Sequence, residues 1–168
     1  MKKIDNIEKS ILEIGQLLAG NSQIVQLLYN DTPNALNEEV PSLSVNDLIN
    51  QKYICLYPPV FDAVDNNSRN TYCILLLDAI NFAQQDNNIG ATYTLYITTD
   101  DAHILLNNNQ NRLLKLLNLI TQTLDNQKLT ASGTINLSSA SHVMLSNFRA
   151  GYRIRFSVTD SMTRKAEI

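Results

Sequence analysis

The clearest pattern in the chain lies near its C-terminal end. Tyr152, Ile154, Phe156 and Val158 are apolar, and Arg153, Arg155, Ser157 and Thr159 alternate with them. Strict period-two patterning marks a β-strand with one buried and one wet face, because successive side chains leave a strand on opposite sides. A strand of this kind is not stable alone. The chain must therefore build a sheet and cover one side of it.

The other segments supply the sheet and the cover. Residues 52–57 are apolar, rich in β-formers and stopped by Pro58 and Pro59. Residues 71–77 are apolar on both faces, which predicts a central strand covered on both sides, at least in the assembled state. Residues 92–98 alternate, with Tyr93, Leu95 and Ile97 facing one way and Thr94 and Thr98 the other. Residues 129–137 read as a strand broken near Gly133. On the helical side, Ile7, Ile11, Ile14 and Leu18 form one stripe. Gly15 inside that stripe costs about 1 kcal/mol relative to Ala, so close packing against another element is expected there. Gly20 and Asn21 end this helix, and Ser22 is expected to cap a second one carrying Ile24, Val25, Leu27 and Leu28. The strongest helix covers 112–124, with Leu113, Leu116, Leu117, Ile120 and Leu124 inward and Leu114 on the flank. The Asn-rich run 107–111 is its cap region.

This order predicts an α+β fold: a mostly antiparallel sheet of about five strands packed against helices, in a single domain over 1–168. Its parts are a helical segment over 4–29, a long loop over 34–52, a sheet and helix core over 52–160 and a flexible tail over 161–168. The loop is polar, but Leu36, Val40, Leu43, Val45, Leu48 and Ile49 are scattered through it, and its second half fits a single capped helical turn. A connection of this length usually has a task, most often contact with a partner, so these six residues are candidate partner contacts. An ordered surface loop is the equal alternative.

Composition excludes more than it selects. The formal charge is −3 and only 17% of residues are charged, which does not favour a nucleic-acid binder over the whole domain. Polarity comes instead from asparagine, 21 of 168 residues. An amide-rich surface repels neighbours less than a charged one and suits assembly; codon bias in an AT-rich genome explains it equally well. Asn30, Asn66 and Asn136 stand in glycosylation-type triplets, as chance predicts at this Asn content. No signal peptide or membrane span is expected. Cys55 and Cys73 sit in apolar runs and read as buried thiols of a reducing compartment, with a structural bridge as the minority reading.

Chemistry-bearing patterns are scarce. Five glycines leave no phosphate cradle, and no nucleophile elbow or zinc spacing is present. Asp100, Asp101 and His103 look metal-like, but adjacent carboxylates in extended chain point apart, and a helix start explains them better. Ser141 and His142 are neighbours in sequence, which does not make a triad. No enzyme activity, catalytic residue, cofactor or metal is expected. Arg149, Arg153, Arg155, Arg164 and Lys165 gather towards the C-terminus. Arg153 and Arg155 project from the outer face of the last strand, either to discourage unwanted pairing or to meet an acidic partner surface or DNA.

The order of elements resembles the tail-terminator (tail-completion) family of tailed-bacteriophage neck proteins. The resemblance rests on the segment from Leu17 to Pro33, on Tyr57-Pro58-Pro59 after a long polar loop, on the helix following an Asn-rich run at 107–124, and on the closing strand from Gly151 to Asp160. It implies a structural virion protein forming a ring at the head–tail junction, with a hexamer favoured and a dodecamer possible. Its neighbours would be neck, portal or tail-tube proteins, with channel DNA nearby and no membrane. It implies a place in the virion, and in the host cytoplasm during assembly. The alternative from another class is a small binding module or assembly chaperone holding a peptide or apolar ligand.

Overall fold

The computed structural model describes residues 2–51, 53–56, 71–82, 89–100, 104–130, 133–146 and 149–159. The chain opens with α1 (Lys2–Gly20) and α2 (Ser22–Tyr29), then a 3-10 turn (Ala35–Asn37) and α3 (Val45–Asn50). Three strands follow: β1 (Ile54–Cys55), β2 (Thr71–Phe82) and β3 (Ile89–Asp100). After α4 (Arg112–Leu124) come β4 (Lys128–Leu129), β5 (Gly133–Ser146) and β6 (Arg149–Thr159). The strands form one sheet in the order β1-β2-β3-β6-β5-β4, antiparallel at every step except β1 on β2. This is the expected α+β fold, with six strands where about five were anticipated.

One face of the sheet carries the core. The inward row of β6 (Ile154, Phe156, Val158) stands in register with Leu95, Tyr93 and Ala91 of β3, and all six are buried. Tyr93 stacks on Phe156 with ring centroids 5.4 Å apart. Helices close this face. Ile7, Ile14 and Leu18 of α1, Leu27 and Leu28 of α2 and Leu116, Ile120 and Leu124 of α4 belong to the same buried cluster. Apolar burial of this kind supplies most of the stability, at about 25 cal/mol per Å² removed from water. Gly15 has the predicted role: a β-carbon there would stand 3.3 Å from the Val45 Cγ1, so α1 and α3 meet at its bare backbone.

The opposite face has two halves. Towards β1, Cys55, Tyr72 and Ile74 form a second buried cluster with Leu76 and Tyr96 against it. Thr94 and Thr98, expected on the outer face, lie there but are fully covered. β2 is buried on both faces only as far as Leu75; Leu77 is 38% exposed. Towards β5 this face carries exposed Ser139 and Arg155 beside half-buried Ser141, Arg153 and Ser157.

Local chemistry adjusts several boundaries. The cap of α2 is Asn21, not Ser22: its side chain accepts from the amides of Gln23 and Ile24 at 3.1 and 3.3 Å. Asn111 caps α4 in the same way through the Leu114 amide. The first strand shrinks to Ile54–Cys55, with Lys52 and Tyr57 outside the described residues. The break near Gly133 is real, and this glycine takes φ 109°, a conformation that side chains disfavour. The segment 60–70 and the tail from 160 onward lie outside the described residues.

Candidate assembly surface

On β6 the alternation works as read. Arg153 and Arg155 project from the face opposite the helices, about 7 Å apart along the strand. Arg153 stands between Tyr96 of β3 and Ser141 of β5; Arg155 stands between Thr94 and Ser139. Arg153 is half-buried and Arg155 is exposed. Beyond Thr94 on the same face lies the exposed carboxylate of Asp78, which accepts a hydrogen bond from the Thr94 hydroxyl. A cation and an anion thus occupy one face about 10 Å apart, two strand spacings.

Of the other basic residues singled out, only Arg149 is described, and it does not join this pair. Arg149 is 8% exposed, sits 3.8 Å from Asp100 and lies over the Tyr72 ring at 5.0 Å. Its work is to close the outer apolar cluster. Asp100 accordingly ends β3 as the partner of Arg149, which replaces the expected helix start; among the described residues the next helix begins at Arg112. Asp101, His103, Arg164 and Lys165 lie outside the described residues. His142 is exposed on β5, edge-on to the Tyr152 ring at 5.7 Å.

The six candidate contacts of the loop divide by depth. Leu48 is fully buried in the main core. Leu36, Val40, Leu43 and Ile49 are half-buried and packed on that core, and Val45 meets Gly15. These side chains thus serve the chain's own fold, because the loop packs over its core and against α1. Only the exposed halves of the five shallower side chains remain for a neighbour.

Buried Arg112 was not anticipated as a keystone. It is fully inaccessible, and its guanidinium donates to the carbonyls of Leu27, Asn30 and Thr32 at 2.8, 2.6 and 2.6 Å. These acceptors lie at and just beyond the C-terminus of α2, where helix carbonyls lack intrahelical partners and carry negative partial charge. Burial pulls the Arg112 pKa below its ordinary value, opposed by the negative charges of Asp31 and Glu38. The sequence did hold a signal: a cation in the first turn of a helix opposes the helix dipole and needs another reason to be there. Asn30 is buried in the same corner with its amide on the Ala35 carbonyl, so its triplet is structural.

Both cysteines are buried. Burial, with Cys55 nearby, pushes the Cys73 thiol far above its ordinary range, so it stays protonated and inert. Among the described residues, no three His, Cys, Asp or Glu side chains converge as a metal site. No described helix is long and apolar enough to cross a membrane.

No curated protein matches the chain. Residues 21–158, from the cap of α2 almost to the end of β6, match the profile of the YomW family, and on that extent the chain belongs to this phage-associated family.

Proposed function

We propose that this chain is a structural subunit of a tailed-bacteriophage virion, assembling as a ring at the head–tail junction in the manner of a neck or tail-terminator protein. The observation that carries the reading is the arginine pair on the outer face of the sheet. Helices cover one face, while the β5–β6 half of the other carries exposed Arg155 and half-buried Arg153. One wet face is ordinary for an antiparallel sheet; what supports assembly is the pair of arginines set side by side on it. A subunit that must face a channel or a neighbouring ring uses it directly, since two arginines suit carboxylates of an adjacent protein or phosphates of passing DNA. A dry apolar partner is disfavoured, because unpaired buried charge costs several kcal/mol. The phage-associated family agrees with the setting. Hexameric order is the favoured form, with portal, neck or tail-tube proteins as neighbours, and the role is structural, without catalysis.

Native mass and negative-stain imaging of the purified chain test the ring, with closed particles of uniform diameter expected. Arg153→Glu together with Arg155→Glu should leave the far-ultraviolet circular dichroism intact and weaken association with neck partners, more so at low salt, where exposed charges act over longer range. A double variant that unfolds would show the pair to be internal structural partners and defeat the assignment of this face.

A further inference from the structure

The sheet ends in two strands of unequal cover. β4 meets β5 only at Gly133 and Thr134, and β1 meets β2 only at Cys73 and Ile74. Among the described residues nothing pairs with the outer edge of β5 over 136–146, or with that of β2 over 75–82. Such edges are templates for another strand, and proteins that must stay apart guard them with charge or proline. The first has neither charge nor proline: 136–146 contains no Lys, Arg, Asp, Glu or Pro, and Ser139, Ala140, His142 and Met144 are exposed. Bulges at Ser138 and near Leu145 leave a regular run between them. The second edge carries one charge, Asp78, at a bulge between Leu77 and Ala79, and an exposed Leu77.

We infer that the β5 edge of one copy pairs with the β2 edge of the next, continuing the sheet from subunit to subunit; this rests on the ring reading above and names its interface. Three features choose this occupant. Stepping from β2 through β3 and β6 to β5, each strand reverses, so a copy placed with its core on the same side presents β2 antiparallel to β5. Antiparallel pairing is the more stable arrangement. Secondly, the two open stretches are offset. Following the register across the sheet, Cys73 lies level with His142, and Asn81 with Thr134. β1 therefore blocks one end of its edge and β4 the opposite end of the other, so the edges meet as complementary steps only when one copy slides along the strand. A closed sheet requires that stagger. Thirdly, unlike edges give a head-to-tail contact, which closes into a ring or runs on as a filament, whereas β5 on β5 stops at a dimer.

The test uses two full-length variants. Ser139→Glu with Ser141→Glu charges the β5 edge, and Leu77→Glu with Ala79→Glu charges the β2 edge. By analytical ultracentrifugation the wild type should sediment as an assembly, each variant alone as a monomer, and an equimolar mixture as a heterodimer that grows no further, because each partner offers one intact edge. Single Ser141→Lys and Ala79→Lys variants, with circular dichroism, guard against misfolding and should show the same order of effects. If the β2 variant alone still dimerises, like edges pair and the inference is wrong. If both variants assemble like wild type, the interface lies elsewhere while the ring reading stands. A wild type that remains monomeric at the highest concentration reached overturns both.

Discussion

At Arg112, one side chain ties three parts of the molecule together. It leaves the first turn of α4, crosses to the end of α2 and reaches the turn at Thr32, giving backbone carbonyls the donors they otherwise lack. A methionine of similar length fills the space but cannot donate, and buried acceptors left without partners cost about 1–3 kcal/mol each. Arg112→Met should therefore lower unfolding free energy by about 3 kcal/mol in urea titration, with assembly following stability. Arg112→Lys keeps the charge but cannot span three acceptors with a planar fork, and should recover only part of the loss. A Met variant as stable as wild type would mean that the three bonds contribute nothing net. Gly151 shows the opposite constraint: a β-carbon there would lie 2.3 Å from the Ile97 carbonyl oxygen, so β6 approaches β3 at that level only because the side chain is absent.

Among the elements, α3 is the one whose boundary is set by a single reciprocal contact. The Ser44 hydroxyl accepts from the Asp47 amide at 3.2 Å, and the Asp47 carboxylate accepts from the Ser44 amide at 2.8 Å, closing a capping box. The Ser44 hydroxyl and then its amide hold the Asp47 pKa below the ordinary 3.8. A carboxyl depressed on folding stabilises above its unfolded value and loses that contribution as pH falls through the folded one. The cap should therefore persist at neutral pH and release only below about pH 4. Asp47→Asn should remove this acid dependence, and Ser44→Ala should raise the Asp47 pKa in an NMR titration; an unmoved value would rule out the box. This element was legible because Ser, Asp and the apolar Leu48 stand at capping spacing, and α4 was legible because its leucines repeat every three or four residues. The second half of β5 was not. Ser138, Ser139, Ala140, Ser141 and His142 have little β-preference of their own, and their strand is imposed by pairing with β6. Arg153 and Arg155 could be placed on the outer face from alternation alone. The confinement of Arg149 by Asp100 and Tyr72 could not, because all three come from different strands.

For the molecule as a whole, the segment from the 3-10 turn through α3 holds apolar side chains at two depths. Leu48 belongs wholly to the core, while Leu43 is half-buried, with part of its side chain outside. If the outer halves of the loop residues meet a neighbour, stability and assembly should respond to different positions. Leu48→Ala removes a fully buried side chain, a change that costs about 2–5 kcal/mol, and should lower the unfolding midpoint while folded molecules still assemble. Leu43→Ser removes less buried surface and should cost about 1 kcal/mol or less by the same area reasoning. Its effect should fall on particle formation, measured as the fraction of chain incorporated into rings or virions at a temperature where both variants are folded. Loss of loop length alone is a poor probe, because deletion strips the cover from α1 and α2 along with any contact surface. A Leu43→Ser chain that assembles as wild type, or that fails only to the extent that it unfolds, would leave the loop as the domain's own cover and confine the assembly surface to the sheet.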